Sequence, residues 1–250
     1  MAETVFNAYG RYYDLLYHDK DYPAEVAYVQ QLLTQAGMTQ GDILEFGSGT
    51  GKHGRLLAQR GYRVHGIERS PDMLQRAVQA DGFTCELGDI GVVKLARTFD
   101  AVLALFHVIS YQITNAQLHA VFTRASEHLA LGGLFLFDFW YSPAVAIQRP
   151  EVRIKRWADT VVDITRIAEP KVMTHENRVD VHYTIFVRRL GDSTVDVLEE
   201  THPMRHFSLP EIDLLAEAHG FERTTAEAFL TGEVPSPATW GVCVVLRKAR

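Results

Sequence analysis

The sequence predicts an α/β fold, in which helices cover both faces of a mostly parallel β-sheet and an antiparallel sheet is inserted late in the chain. Short apolar segments alternate with helical segments over residues 23–137, which is the rhythm of a parallel sheet. A turn with glycines at alternate positions, residues 47–51, follows the first predicted strand. Over residues 153–207 the pattern becomes two-residue alternation, which is typical of antiparallel strands.

The elements of the first half follow from periodicity and capping residues. Residues 23–36 place apolar side chains at helical spacing, with Pro23 suited to the first turn and Gly37 to the stop. Ser70 followed by Pro71 is another helix start. The predicted helices span residues 23–36, 51–59, 71–80 and 115–129, and the predicted strands span residues 43–46, 62–67, 83–87, 99–105 and 134–137.

The second half begins with the alternating segments, for which turn signals are predicted at Pro170 and Gly191. A helix near residues 212–216 then ends at Gly220, and strands follow at residues 221–229 and 240–246. With the five earlier strands, these two complete a predicted sheet of seven strands. The alternating segments form the antiparallel sheet inserted after its fifth strand.

Composition limits the classes of function. A chain of 250 residues with 47% apolar and 22% charged residues is long enough for one large domain with an insertion. The net charge of -6 argues against a nucleic-acid partner. Two cysteines, Cys85 and Cys243, make no disulfide framework. With no secretory leader or spanning segment in the sequence, we expect a cytoplasmic protein without a membrane partner.

The Gly-rich turn indicates a nucleoside-like ligand. Gly47, Gly49 and Gly51 lack Cβ atoms, so we expect a ligand to lie directly against main-chain N–H and C=O groups. The following helix points its positive end at the same place. The turn by itself does not say which nucleoside-like ligand binds.

Two known glycine patterns can be compared with this turn. A P-loop does not fit, because Phe46 stands where its first glycine belongs and His53 replaces its hydroxyl group. Residues 49–54 do match the G-x-G-x-x-G pattern of dinucleotide sites, and Glu68 ends the second strand as a ribose-binding acid should. A lone match of this kind is weak evidence.

A series of four motifs resembles class I S-adenosylmethionine-dependent methyltransferases. The motifs are E-x-G-x-G-x-G at residues 45–51, Glu68 at the end of the second strand, Gly-Asp-Ile at 88–90 after the third, and Phe-Asp-Ala-Val at 99–102 opening the fourth. The resemblance covers residues 40–140 strongly. It implies a Rossmann-like fold, S-adenosyl-L-methionine as the cofactor and methyl transfer as the activity.

The resemblance also implies cofactor contacts. Glu68 would accept two hydrogen bonds from the ribose hydroxyls, and Asp89 would accept one from the adenine amino group. The Ile90 N–H would read a ring nitrogen, whereas Glu45 would meet the methionine ammonium or brace the turn. Met73 and Leu105 would supply apolar walls for the cofactor, with ordinary core packing as the alternative role. The full predicted set is Tyr17, Glu45, Gly47, Gly49, Gly51, Glu68, Met73, Asp89, Ile90 and Leu105.

A cluster of tyrosines near the N-terminus suits a lid that closes over a ligand and excludes water. Tyr9, Tyr12, Tyr13, Tyr17 and Tyr22 lie within fourteen residues. The segment 12–17 resembles the N-terminal lid in the branch that N-methylates amino sugars carried on nucleotides, a branch that also has the β insertion. An amphipathic helix packed on the core is the alternative. The predicted substrate contacts are Tyr13, Tyr22 and Trp140.

Methyl transfer needs little covalent chemistry from the protein, because the orientation of the reacting groups does much of the work. A base is needed only if the acceptor starts protonated. The candidate catalytic groups are His107 and Tyr111 after the fourth strand and His182 in the insertion, each of which also fits a structural role. His202 and His206 need not share a face, because Pro203 intervenes in a predicted strand, so no metal site is predicted.

Four segments are predicted: residues 1–40 as lid and lead-in helix, 41–140 as the cofactor-binding core, 141–207 as the antiparallel insertion, and 208–250 as the completion of the core sheet. The expected substrate is a small polar acceptor, most simply an amine or hydroxyl of a nucleotide-linked sugar. Two alternatives stay open, an NAD-linked oxidoreductase using the register from Gly49 to Gly54 and a non-catalytic binding subunit of the same fold. The inserted sheet offers an edge for a homodimer.

Overall fold

A computed structural model of the chain describes residues 16–17, 19–191 and 194–250. The predictions for Tyr9, Tyr12 and Tyr13 lie outside these residues. Within this part of the chain, each helix is too short or too polar to cross a lipid bilayer.

Helices and strands alternate through the first half, and long strands dominate the second. The helices are α1 (Tyr22–Gln35), α2 (Lys52–Ala58), α3 (Pro71–Arg76), α4 (Asn115–Glu127), α5 (Ser142–Ile147) and α6 (Leu209–Ala218). The strands are β1 (Gly41–Phe46), β2 (Tyr62–Glu68), β3 (Phe83–Leu87), β4 (Phe99–Ala104), β5 (Leu129–Tyr141), β6 (Arg153–Ala158), β7 (Val162–Met173), β8 (Arg178–Arg189), β9 (Val195–Phe207), β10 (Phe221–Ala228) and β11 (Gly241–Lys248).

Local capping chemistry sets the helix boundaries. The Asp21 side chain accepts a hydrogen bond from the Ala24 N–H at the start of α1. Thr114 and Gln117 form a reciprocal capping box at the start of α4. The predicted helix over residues 71–80 is too long, because Ala77 already has an extended backbone and α3 ends one residue earlier.

The core sheet confirms the predicted α/β arrangement. β3, β2, β1, β4 and β5 pair in parallel in that order, β11 pairs antiparallel with β5, and β10 pairs antiparallel with β11. One face is covered by α4 and α6 around Phe122, and the other by α1 and α2 around Leu33. Burial on both faces explains the continuous apolar runs of these strands.

The number of strands differs from the seven predicted. β5 continues to Tyr141, beyond the predicted end at residue 137, and its last two residues pair in parallel with β9. The inserted strands β6 to β9 therefore join the core strands in one mixed sheet of eleven strands among the described residues. The inserted strands themselves are antiparallel, as predicted.

The turn predicted at Pro170 is wrong. Pro170 lies within β7, opposite Val181 of β8, and the chain reverses later, at residues 174–177. The pairing of β6 with β7 ends at Ala168, so Pro170 lies where β7 has become an edge strand. A proline costs little there, because no further strand needs its missing N–H.

We predict that Gly51→Ala destabilises the fold more than Gly61→Ala. Both glycines have positive φ, 74° and 92°, which costs an L-residue about 1 to 2 kcal/mol. A Cβ at Gly51 would also lie 2.6 Å from the Phe83 ring, whereas nothing lies within 4 Å of one at Gly61. Overpacking adds about 1 to 3 kcal/mol. Urea unfolding of both variants measures the difference, and equal losses would contradict this account.

Candidate active site

A cavity of about 390 Å³ opens at the carboxyl ends of β1, β2 and β4, the edge at which open α/β sheets bind ligands. Its walls come from the turn after β1, the ends of β2 and β3, the segment after β4 and the start of α4. The structure thus brings together most of the residues predicted from the sequence, namely Tyr22, Gly47, Gly49, Glu68, Met73, Asp89, Ile90, Leu105 and Tyr111.

The backbone of the Gly-rich turn is held by β2. The N–H groups of Gly47 and Ser48 donate to one β2 carbonyl at 2.8 and 3.2 Å, and the Gly51 N–H donates to the Ser48 carbonyl at 2.9 Å. The Gly49 N–H donates to Glu68 Oε2 at 2.8 Å. The protein itself uses these four donors, so the expectation that the turn offers them to a ligand is corrected.

The glycines of the turn serve conformation and packing. All three have positive φ, between 56° and 74°, where glycine is favoured. A Cβ at Gly47 would lie 2.6 Å from Val108, and one at Gly51 would lie equally close to Phe83, whereas at Gly49 the nearest side-chain atom is 3.4 Å away. Close packing therefore requires glycine at positions 47 and 51, and Gly51 faces the core instead of the cavity.

Glu68 ends β2 with a buried carboxylate beside the turn. Its Oε2 accepts from Gly49, and its Oε1 accepts from the Ser70 N–H at 2.8 Å. Burial raises the pKa of Glu68, although both N–H groups oppose that rise. Each carboxylate oxygen has a second lone pair. Glu68 can therefore brace the turn and still accept from hydroxyl groups in the cavity.

Glu45 lies beneath the turn, 1% exposed, and behind the residues that line the cavity. Burial, together with the nearby charge of Glu68, raises the pKa of Glu45 to about 8. No described residue donates a hydrogen bond to its Oε2, over which Gly54 of α2 packs closely. Glu45 therefore packs beneath the turn, and the cavity lining does not include it.

The ends of β3 and β4 supply one end of the cavity. Asp89 Oδ1 accepts from the Gly91 N–H at 2.7 Å, which fixes the carboxylate at the rim, and Ile90 packs partly against the core. Met73 and Leu105 are 3% and 4% exposed and also line the cavity. The two roles considered for these residues, core packing and cavity wall, are therefore compatible.

Lys20 fastens the segment before α1 to the rim of the cavity. Its Nζ lies 2.6 Å from Glu25 Oε2 and 3.7 Å from the centre of the Phe106 ring. His53 Nε2 contacts the same carboxylate at 2.7 Å. Burial lowers the pKa of both Lys20 and His53. The Tyr22 ring, 4.4 Å from the Lys20 Nζ, is held against the cavity by this cluster.

His107, a predicted catalytic residue, lies beside the cavity and outside its lining. Its Nδ1 is 2.6 Å from Asp138 Oδ2, and its backbone N–H donates to the same carboxylate. Burial favours the neutral acid, but the contacts with His107 prevail and lower the pKa of Asp138. Trp140, a predicted substrate contact, packs against His107 with ring centres 6.1 Å apart. The structure places both residues behind the cavity wall.

Tyr111 connects the cavity to the inserted sheet. Its hydroxyl lies 2.9 Å from His202 Nδ1, and His202 Nε2 lies 3.2 Å from Glu200 Oε2. Tyr183 packs edge-on against His202 with ring centres 4.9 Å apart. The register pairs Tyr183 with Glu200, so these inserted side chains share the face of the sheet that meets Tyr111.

Tyr17 and Arg166 extend this face toward the N-terminal segment. The Arg166 guanidinium lies over the rings of Tyr17, Trp157 and Tyr183 at 5.1 to 5.7 Å. Tyr17 packs edge-on against Phe106, a residue of the cavity wall. The predicted cofactor contact Tyr17 therefore lies at the cavity's edge.

His182 lies on the other face of the inserted sheet. It precedes Tyr183 in β8, so its side chain points to the opposite side, where its Nδ1 meets Thr201 Oγ1 at 3.1 Å. The structure therefore does not bring this predicted catalytic residue to the cavity.

Sequence reasoning missed several residues of the site. Arg69, Phe106 and Gln117 line the cavity. Two-residue alternation in β9 could have placed Glu200 and His202 on one face. No local sequence pattern indicates the contact of His202 with Tyr111, because 91 positions separate the two residues.

We predict that Glu45→Gln changes the pH dependence of stability. The folded Glu45 keeps its proton up to about pH 8, whereas the unfolded carboxyl ionises near 4.5. The raised pKa stabilises the fold at low pH, and this contribution is lost as the pH rises toward 8. The variant has no carboxyl to titrate at this position. The difference in unfolding free energy between variant and wild type should therefore shift by about 3 kcal/mol in favour of the variant from pH 5 to pH 8. Urea unfolding at both pH values tests this, with the exposed Glu222→Gln as control. An unchanged difference between Glu45→Gln and the wild type would rule the account out.

Comparisons with known proteins agree with this geometry. Residues 43–133 match a protein-family model described as a methyltransferase domain. The dTDP-3-amino-3,4,6-trideoxy-alpha-D-glucopyranose N,N-dimethyltransferase of Streptomyces venezuelae is 28% identical over 69% of this chain and 74% of its own length. The dTDP-3-amino-3,6-dideoxy-alpha-D-glucopyranose N,N-dimethyltransferase of Streptomyces fradiae is 28% identical over 83% of this chain and 81% of its own.

Solved structures share the fold. An S-adenosylmethionine-dependent methyltransferase from Clostridium acetobutylicum has a TM-score of 0.79 at 19% identity, covering 98% of this chain and 100% of that one. CalS10, an amino pentose methyltransferase from Micromonospora echinaspora solved with its methyl donor bound, has a TM-score of 0.77 at 23% identity over 100% of both chains. The chain has the α/β methyltransferase fold, and residues 43–133 carry its methyltransferase domain.

Proposed function

We propose that the chain transfers a methyl group from S-adenosyl-L-methionine to the amine of a nucleotide-linked amino sugar. The observation that carries this proposal is that two different walls enclose the cavity. The Gly-rich turn, Glu68 and Asp89 form one wall, and Tyr111, in contact with the inserted sheet, belongs to the other. The names of the Streptomyces relatives support the acceptor class.

The first wall suits the methyl donor. In this proposal Glu68 accepts from the ribose hydroxyls, Asp89 from the adenine amino group, and the Ile90 N–H donates to the base. When bound, the donor supplies a methyl group on a positively charged sulfur, which makes that methyl electrophilic. These residues belong to the predicted cofactor-binding core, residues 41–140.

The second wall suits an anionic acceptor. A nucleotide-linked sugar carries phosphate charges, and guanidinium groups bind phosphate well. Arg69 follows Glu68 in the cavity lining and acts electrostatically on Tyr111 of the second wall, and Arg166 lies behind the lining, on the face of the inserted sheet that meets Tyr111. We therefore assign the phosphate-bearing part of the acceptor to the side of Arg69 and Arg166. This gives the insertion, residues 141–207, the role of an acceptor-binding element.

Tyr111 is the catalytic residue of this proposal, because its side chain lines the cavity. His107 acts on the shape of the wall, since its contact with Asp138 holds the segment that carries Phe106 and Val108. The protein's main contribution is then to orient donor and acceptor, which can lower a barrier by about 7 to 11 kcal/mol.

We predict that Glu68→Ala weakens binding of S-adenosylhomocysteine by roughly 1 to 3 kcal/mol with the fold retained, because charged hydrogen bonds to the ligand are lost. Isothermal titration calorimetry measures the affinity. Glu86→Ala, an exposed acid on neighbouring β3, is the matched control and should bind normally. Unchanged affinity in Glu68→Ala would show that Glu68 only braces the turn.

A panel of acceptors tests the proposed function. We expect dTDP-amino sugars to gain one or more N-methyl groups, detected by mass spectrometry, with kcat/KM at least about tenfold above that for dTDP sugars bearing a hydroxyl at the same carbon. The physical reason is that a neutral amine is the better nucleophile and attacks before it has lost a proton, whereas a hydroxyl needs a strong base to remove its proton first. Equal rates with the hydroxyl sugars, or no transfer by protein that binds S-adenosylhomocysteine, would refute this acceptor class.

A further inference from the structure

A chain of three polar side chains leads from the cavity into the inserted sheet. Tyr111 lines the cavity, and its hydroxyl meets His202 Nδ1 at 2.9 Å. On the other side of the ring, His202 Nε2 meets Glu200 Oε2 at 3.2 Å. The His202 side chain is 3% exposed and that of Glu200 is 11% exposed. The imidazole is therefore sealed between a phenol and a carboxylate.

The donors and acceptors of this chain have a definite direction. An ionised carboxylate can only accept hydrogen bonds, so Glu200 requires the hydrogen of His202 on Nε2. The Nδ1 of a neutral His202 is then an acceptor, and the Tyr111 hydroxyl donates to it. The arrangement has the order of a hydroxyl, imidazole and carboxylate triad, in which the carboxylate orients the ring and stabilises its cation.

The surroundings keep the imidazole neutral until it receives a proton. Burial lowers the pKa of His202, and Glu200 opposes that shift. Burial also raises the pKa of Tyr111 well above its ordinary value, so the phenol keeps its proton. Among the residues that the structure describes, Tyr17, Arg69, Arg166 and Tyr183 also act electrostatically on this pair.

We propose that Tyr111, His202 and Glu200 form a proton relay that takes up the proton lost by the acceptor amine. The acceptor N–H bond breaks as its proton moves to the Tyr111 oxygen, while the Tyr111 O–H bond breaks and its proton moves to His202 Nδ1. Glu200 stays ionised and stabilises the imidazolium. After product leaves, the proton returns through Tyr111 to water in the cavity. The relay rests on the proposed function.

Within this relay, Tyr111 is the catalytic residue, and Glu200 is a positioning residue that acts through His202. This division distinguishes the relay from a set of packing contacts. Removing Glu200 should lower the basicity of His202, so the turnover rate should fall and the acid limb of the kcat profile should move to lower pH. A packing role would change stability and leave that limb in place.

A double-mutant cycle tests the relay, with kcat for a dTDP-amino sugar as the readout. General acid–base catalysis contributes about 10²- to 10⁴-fold. We expect Tyr111→Phe to lower kcat by about 100-fold and Glu200→Gln by about tenfold. The double variant should match Tyr111→Phe within about twofold, because Glu200 acts only through the phenol. Glu199→Gln, an exposed acid on the opposite face of β9, is the control and should behave as wild type.

Two kinetic results would overturn the relay. One is a double variant whose loss is the product of the single losses, and the other is a Glu200→Gln variant indistinguishable from Glu199→Gln in rate and acid limb. If the wild type methylates no amino sugar, the proposed function fails instead. The pairing is then tested by ¹⁵N NMR of the His202 ring, whose pKa should fall in Glu200→Gln and not in Glu199→Gln; an unchanged ring would overturn the relay as well.

Discussion

The attachment of the Gly-rich turn to the end of β2 is the contact on which the rest of the site depends. A β2 carbonyl accepts from two N–H groups of the turn, and Glu68 accepts from a third and from Ser70. These bonds fix three alternate glycines with left-handed backbones, at 47, 49 and 51, in a shape that leaves Val108 and Phe83 room to pack. Hydrogen bonds within the protein therefore hold the turn that forms the floor of the cavity, and contacts with a ligand are made in addition to them.

Burying two carboxylates under one turn has an electrostatic cost, and the surroundings offset part of it. The Glu45 carboxyl stays protonated near neutral pH because burial and Glu68 act in the same direction. Lys20 lowers the pKa of Glu45 through space and is itself paired with Glu25. In the N-terminal segment, Lys20 thus contributes positive charge near Glu45, and Tyr22 contributes its ring to the cavity lining.

Features with a local sequence signal could be predicted from the sequence, whereas features that depend on residues distant in the chain could not. The strands β1 to β5 and the motif residues around Glu68 and Asp89 were predictable, because apolar runs, glycines and capping residues are local signals. The packing role of Gly51 was not, since it depends on Phe83, which comes from another strand. The turn at Pro170 was predicted wrongly because edge status in a sheet cannot be read from proline itself. The contact of Tyr111 with the inserted sheet likewise could not be predicted from any local sequence pattern.

The conformation of the segment after β4 explains why His107 packs behind the cavity wall, whereas His202 contacts the cavity-lining residue Tyr111. Phe106 and His107 both have left-handed backbones, φ 63° and 64°, which costs a non-glycine residue about 1 to 2 kcal/mol each. This double turn sends Phe106 into the cavity wall and His107 toward Asp138. Such strain persists only where surrounding contacts hold it, and a buried carboxylate that binds both the ring and the backbone N–H of His107 supplies that hold. A histidine committed to this task is poorly placed to move protons, whereas His202 keeps an acceptor nitrogen directed at the cavity by way of Tyr111.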